Sequence, residues 1–247
     1  LSGFVAFARR ALFQSQHTHY RLTPKRLGIV AAFSIVFPLL ELWNRIGFRI
    51  DDLFMNKYRR EKIKQPLFII GNPRSGTTFL HRLLAKDEQS FTTMKAWEIF
   101  FAPSVTQRKL WRAIRAVDRR FGDVLVRTIR ALENSWQDKL IVHELALEEP
   151  EEDEFLLVHI WSCLAVCLFS ADMHDAPLYT YFDTLLPEQD KRRIMDFYVR
   201  SLQRHQHAHQ TDRCYLAKNP SFCPKIETLG EWLPGARFVY LVRNPLE

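Results

Sequence analysis

Between Pro66 and Thr78 the chain reads PLFIIGNPRSGTT, and this stretch restricts the fold more than any other. Leu67 to Ile70 is an apolar run of the kind that forms a buried strand. The run breaks at Gly71-Asn72-Pro73, and helical patterning begins near Gly76. A strand, a tight glycine turn and a helix N-terminus aim free N–H groups and the positive end of the helix dipole at one point. That point is an anion cradle, with phosphate as its natural occupant. Gly71 and Gly76 keep the G-x-x-x-x-G spacing of nucleoside-triphosphate loops, yet Thr77 stands where that pattern requires Lys, and Thr78 follows. The fixed point charge for a β/γ-phosphate is therefore missing. A cation sits inside the loop instead, as Arg74. This suits a ligand with one phosphate held by backbone and hydroxyl groups, and a leaving-group charge met by guanidinium.

At 247 residues the chain is long enough for one sizeable α/β domain with a real core. Lys and Arg exceed Asp and Glu by 35 to 28, a net charge of +7. A solvated surface accounts for this bias, and an anionic cofactor or substrate is compatible with it. Nucleic acid is not expected, because no Lys/Arg-rich tail or aromatic-basic interleaving occurs. Cys163, Cys167, Cys214 and Cys223 form no metal framework. Cys163 and Cys167 lie one helical turn apart in an apolar stretch and read as small buried hydrophobes. A reducing compartment is the simpler expectation. The chain begins at Leu1 and stops at Glu247 inside a motif, which reads as a fragment truncated at the C-terminus or at both ends.

Residues 1–60 read as a helical N-terminal extension, and residues 61–247 as the α/β domain, whose core begins at Pro66. Leu27 to Leu40 is almost wholly apolar, with Pro38 inside it and Glu41 just after. It is short for a bilayer span of about 20 residues. A helix packed on the domain or on a partner is the plain expectation. The alternative is a peripheral membrane contact through residues 27–43, helped by Arg21, Lys25 and Arg26.

After the loop, Phe79, Leu80, Leu83 and Leu84 share one helix face. In residues 107–121 the pattern turns Leu110, Trp111, Ile114, Val117 and Phe121 inward, and Arg108, Lys109, Arg112, Arg115 and Arg119 outward. Pro150 with Glu151, Glu152, Asp153 and Glu154 reads as a helix start, since carboxylates favour the dipole's positive end. Residues 188–204 form another helix with Ile194, Phe197, Tyr198 and Leu202 buried. His205, His207 and His209 follow as a solvated helix end, in a spacing poor for zinc. Arg213 to Lys218 reads as a second strand, Ser221 to Trp232 as a helix ending at Leu233-Pro-Gly-Ala236, and Phe238 to Val242 as a third strand. Strand, helix, strand with short connections implies a right-handed parallel crossover. Ligands of open α/β sheets bind at strand C-termini, where Gly71, Lys218 and Arg243 all fall.

Pro-Arg-Ser-Gly-Thr-Thr after Phe-Ile-Ile-Gly resembles the 5′-phosphosulfate loop of sulfotransferases, which use 3′-phosphoadenosine 5′-phosphosulfate (PAPS) as donor. The resemblance continues through Phe79 to Ala85, Trp97-Glu98, Pro150 to Leu157 and Ala217-Lys-Asn-Pro220, and ends at Phe238 to Pro245. It implies a P-loop-like fold with a central parallel sheet flanked by helices, PAPS as co-substrate and no metal. It implies transfer of a sulfuryl group to a hydroxyl or amine acceptor: a small molecule, carbohydrate, lipid or peptide. Cytoplasmic and Golgi locations are both compatible with it. By resemblance to tyrosyl-protein sulfotransferases, Arg74 and Lys218 are catalytic. Glu98, about two dozen residues after the loop, is the first candidate for the base, ahead of His143 and His81. Arg74, Ser75, Gly76, Thr77 and Thr78 match the donor-binding loop, and Arg243 matches the arginine that binds the 3′-phosphate. The family's Asp is Asn244 here, and its 3′-phosphate serine and glycine-rich closing stretch would fall beyond Glu247. Two other readings stand beside it. One is a P-loop kinase, which lacks its Walker lysine; the other is a degenerate loop serving as a non-catalytic interaction module.

Overall fold

A computed structural model describes residues 2–13, 21, 23–137, 146–169 and 176–244. The helices are α1 (Ser2–Phe13), α2 (Pro24–Phe54), α3 (Thr77–Leu84), α4 (Ala96–Phe100), α5 (Val105–Arg120), α6 (Val124–Gln137), α7 (Leu164–Phe169), α8 (Ala176–Thr180), α9 (Phe182–Leu185), α10 (Glu188–His209) and α11 (Ile226–Trp232). The strands are β1 (Leu67–Gly71), β2 (Phe91–Thr92), β3 (Cys214–Lys218) and β4 (Arg237–Leu241). They form one sheet in the order β2-β3-β1-β4, with every pairing parallel.

Phe68, Ile69 and Ile70 of β1 are all buried, so the strand is covered on both faces, as central strands of parallel sheets are. Phe68 and Ile70 join Met94, Leu156, Tyr198 and Phe222 in the main core. Register sets Ile69 beside Lys218 and Gly71 beside Leu241, which brings the ends of β1, β3 and β4 to one edge.

The N-terminal extension packs on the domain. Helix α2 starts where the Thr23 hydroxyl accepts the Arg26 N–H, with Pro24 in the first turn, and it runs through Pro38 without ending. Its inner face mixes apolar Val30 and Phe37 with polar anchors. Asp51 accepts the N–H groups of Val105 and Thr106 and so caps α5, and it also pairs with Arg204 of α10. Asn44 donates to the Phe100 carbonyl, and Glu41 meets His159.

Several helix faces differ from the sequence expectation. In α5, Val105, Gln107 and Arg108 are buried, while Leu110, Val117 and Phe121 are exposed. The rotation follows from hydrogen bonds: Gln107 closes a capping box with Ser104 and reaches Asn44, and the Arg108 guanidinium is enclosed. In α3, Thr77 and His81 face the interior, whereas Phe79 is 74% and Leu83 50% exposed. The buried set in α10 is Ile194, Tyr198 and Leu202 as expected, with Phe197 half-buried. The helix continues through the three histidines, however, and His205 lies inside rather than at a solvated end. The acidic run after Pro150 does not start an α-helix; it leads into a 3-10 segment, Asp153–Ile160. The expected helix from Ser221 opens as a 3-10 turn, Pro220–Lys225, before α11. The two-residue β2 had no sequence signal of its own.

Candidate active site

The loop from Gly71 to Gly76 is built on backbone conformations that side chains avoid. Gly71 has φ +148°, and a Cβ there would stand 2.6 Å from the Leu241 carbonyl oxygen and 3.2 Å from Ser75 Oγ. Gly76, the residue before α3, is left-handed at φ 94°. Arg74 is left-handed too, at φ 69°, which is costly for a residue with a side chain. The Ser75 N–H donates to the Asn72 carbonyl and closes the turn. The first helical bond runs from the Leu80 N–H to the Gly76 carbonyl, so the N–H groups before it have no intrahelical acceptor. Ser75 Oγ is buried and has no hydrogen-bond partner among the described residues. An orphaned hydroxyl beside unspent N–H groups is what an incoming anion satisfies. Arg74 stands exposed at the rim.

Lys218 ends β3 one strand away and is 2% exposed. Its Nζ lies 2.5 Å from Glu152 Oε1, and the Glu152 side chain keeps 19% of its surface exposed. The acidic run is thus the wall beside Lys218, a role the sequence reading did not find for it. Asn219 straps the two together. Its N–H donates to Ile69, its side-chain oxygen accepts the Glu154 N–H, and its amide donates to Asp153. Asp153 also accepts the hydroxyls of Tyr198 and Tyr215, and burial still pushes its carboxyl up from the ordinary range. Glu154 pairs with Lys225, which is itself buried between Phe182 and Phe222. A run of carboxylates facing an Ala-Lys-Asn-Pro strand end was the one sequence signal for this wall.

Glu98 lies elsewhere in the interior. It is 1% exposed and engaged on every side. One oxygen accepts the Lys95 N–H, the other accepts from His209 Nε2 at 2.7 Å, and the Arg108 guanidinium is 3.6 Å away. Burial would raise its pKa, but Arg108, the His209 hydrogen bond and the neighbouring imidazoles outweigh burial and hold the carboxyl far below the usual range.

Glu98, His205 and His209 also come close enough together to suggest a metal site. Arg108 occupies that role. Its guanidinium is 2.9 Å from His205 Nδ1, and since guanidinium only donates, Nδ1 is the acceptor and Nε2–H donates to Thr92 Oγ1. His205 is therefore neutral, in keeping with a pKa driven well down by burial. His209 spends its Nε2–H on Glu98.

His81, the third candidate for the base, is fully buried against Thr93 Oγ1. Burial, with Lys218 and Arg82 nearby, lowers its pKa to about 3. His143 lies outside the described residues. Arg243 is exposed two residues past the end of β4, on the same sheet edge as the loop and Lys218. The structure thus brings the loop residues, Lys218 and Arg243 to one edge, and it places Glu98 and His81 in the interior.

The whole chain superposes on two mycobacterial enzymes of known structure. Sulfotransferase STF9 from Mycobacterium avium matches over 99% of this chain with a TM-score of 0.64 at 18% identity. Sulfotransferase STF1 from Mycobacterium tuberculosis H37Rv matches over 98% with a TM-score of 0.62 at 22% identity. The chain spans 62% of the length of each. No curated protein sequence matches it significantly. The sequence profile of the sulfotransferase family matches residues 66–247. That match begins one residue before β1 and takes in the loop, the acidic wall and the ends of β3 and β4, so the chain belongs to the sulfotransferase family.

Proposed function

We propose that this chain carries the donor side of an enzyme that transfers a sulfuryl group from PAPS to a hydroxyl or amine acceptor. The observation that carries the reading is the loop cation. Arg74 takes a left-handed backbone inside a glycine turn whose helix lacks the Walker lysine, and Lys218 ends the adjacent strand. One phosphate-sized anion suits the orphaned Ser75 hydroxyl and the N–H groups at Gly76, Thr77 and Thr78. PAPS supplies the sulfuryl group and a bisphosphate leaving group. Arg74 and Lys218 stabilise the negative charge that grows on the leaving oxygen, and their positioning supplies most of the rate. Arg243, at the end of β4, binds the 3′-phosphate.

The base is assigned to Glu152. It is the carboxylate at the sheet edge with partial solvent access, and it already touches the cation that faces the donor. Glu98 is ionised, but both its oxygens are spent on Lys95, His209 and Arg108 in a sealed setting. We therefore give Glu98 to the fold. Glu152→Gln should reduce turnover at least roughly a hundredfold while leaving binding of adenosine 3′,5′-bisphosphate within a few-fold. Turnover unchanged in that variant would return the base to another residue.

A further inference from the structure

We infer that the outer face of α2 rests on an anionic bilayer surface. Ile35, Leu39, Leu42, Ile46 and Leu53 recur at helical spacing on the side opposite the buried anchors Glu41, Asn44 and Asp51. Each is roughly half exposed or more. From Ile35 to Leu53 the stripe runs about 27 Å along the helix. An apolar cavity between Phe4, Phe37 and Trp161 opens beside Leu42 and Arg45 on α2.

Helix α2 is long and apolar enough to cross a membrane by composition. Its anchors argue against crossing. Asn44 bonds Phe100, Asp51 caps α5, and Phe37 packs edge-on against Trp161, so α2 is fastened to the domain from Phe37 to Asp51. Pro24 to Leu40, the more apolar part, covers only about 25 Å, less than the bilayer's hydrocarbon core of about 30 Å.

Charge selects the occupant. Residues 1–50 contain seven Lys and Arg against a single acidic residue, Glu41. A second copy would bring the same positive field to the same face and be repelled. Anionic lipid headgroups attract it, and an apolar stripe bordered by Arg45 and Arg49 is what an interfacial helix presents.

The test is co-sedimentation of the protein with vesicles of phosphatidylcholine alone or with about a third phosphatidylglycerol. Binding should be at least roughly tenfold stronger to the anionic vesicles and should weaken as salt rises from about 0.1 to about 0.5 M. Ile35→Glu with Leu39→Glu changes two exposed positions, so circular dichroism should stay native while vesicle binding falls roughly tenfold or more. Lys25→Glu with Arg49→Glu should remove the preference for anionic lipid. The inference is overturned if folded protein ignores anionic vesicles, or if the Ile35/Leu39 variant binds them undiminished. It is also overturned if ultracentrifugation shows a dimer that this variant dissociates, since a second copy would then cover the stripe.

Discussion

Arg74 couples a strained backbone to a charge. A non-glycine residue at φ 69° costs on the order of 1 kcal/mol or more, and the loop keeps it where glycine would be easier. Arg74→Gly should therefore separate stability from function. Its urea midpoint should rise by the equivalent of about 0.5–1 kcal/mol while turnover falls roughly a hundredfold or more. A variant that kept its turnover would remove Arg74 from the chemistry. Lys218→Ala should lower turnover by a similar factor. Glu98→Gln should behave differently, because it leaves the Arg108 guanidinium buried without its counter-charge. We expect a loss of about 3 kcal/mol or more in chemical denaturation. Unchanged stability with lost turnover would restore Glu98 as the base.

Among the elements, strands, turns and the apolar face of α10 were legible, while the faces of α3 and α5 were not. Apolar runs near glycine and proline located β1, β3 and β4 within a residue or two; β1, covered on both faces, admits little else, whereas edge strand β4 leaves Tyr240 51% exposed. The Gly71 turn was legible because only glycine tolerates that approach to Leu241. Gly71→Ala should unseat the loop, weakening adenosine 3′,5′-bisphosphate binding at least roughly tenfold even if the sheet folds. Counting apolar positions failed in α3 and α5, where buried polar groups decide the rotation. His81 reaches Thr93, Gln107 reaches Asn44, and Arg108 reaches His205. Those partners lie 12, 63 and 97 residues away in sequence, beyond the reach of a helical period, so no local pattern announces them. The acidic wall escaped notice for the same reason: Glu152 and Lys218 are 66 residues apart.

The molecule as a whole buries several titratable groups beside its apolar core, and acid should find them first. His81 and His205 are buried with pKa values depressed by desolvation, to about 3 for His81 and well down for His205. In the unfolded chain both take up protons near pH 6.5, so stability is full above that pH and falls as pH drops below it. His81 should remove up to about 2 kcal/mol between pH 7.5 and 5, and His205 acts in the same direction. Glu98 adds its loss only below about pH 4.5, the unfolded carboxyl range, and Asp153, shifted the other way, opposes it there. Urea midpoints that stay flat from pH 7.5 to 5 would mean these imidazoles are not buried as described.

The sheet edge should receive a bisphosphate nucleotide rather than a triphosphate one. Titration calorimetry of the protein with adenosine 3′,5′-bisphosphate and, separately, with Mg·ATP decides it. We predict that the bisphosphate binds with no metal present, and that it binds at least roughly tenfold more tightly than Mg·ATP, because Arg74 replaces the Walker lysine. Tighter binding of Mg·ATP, with no heat from the bisphosphate, would contradict the account.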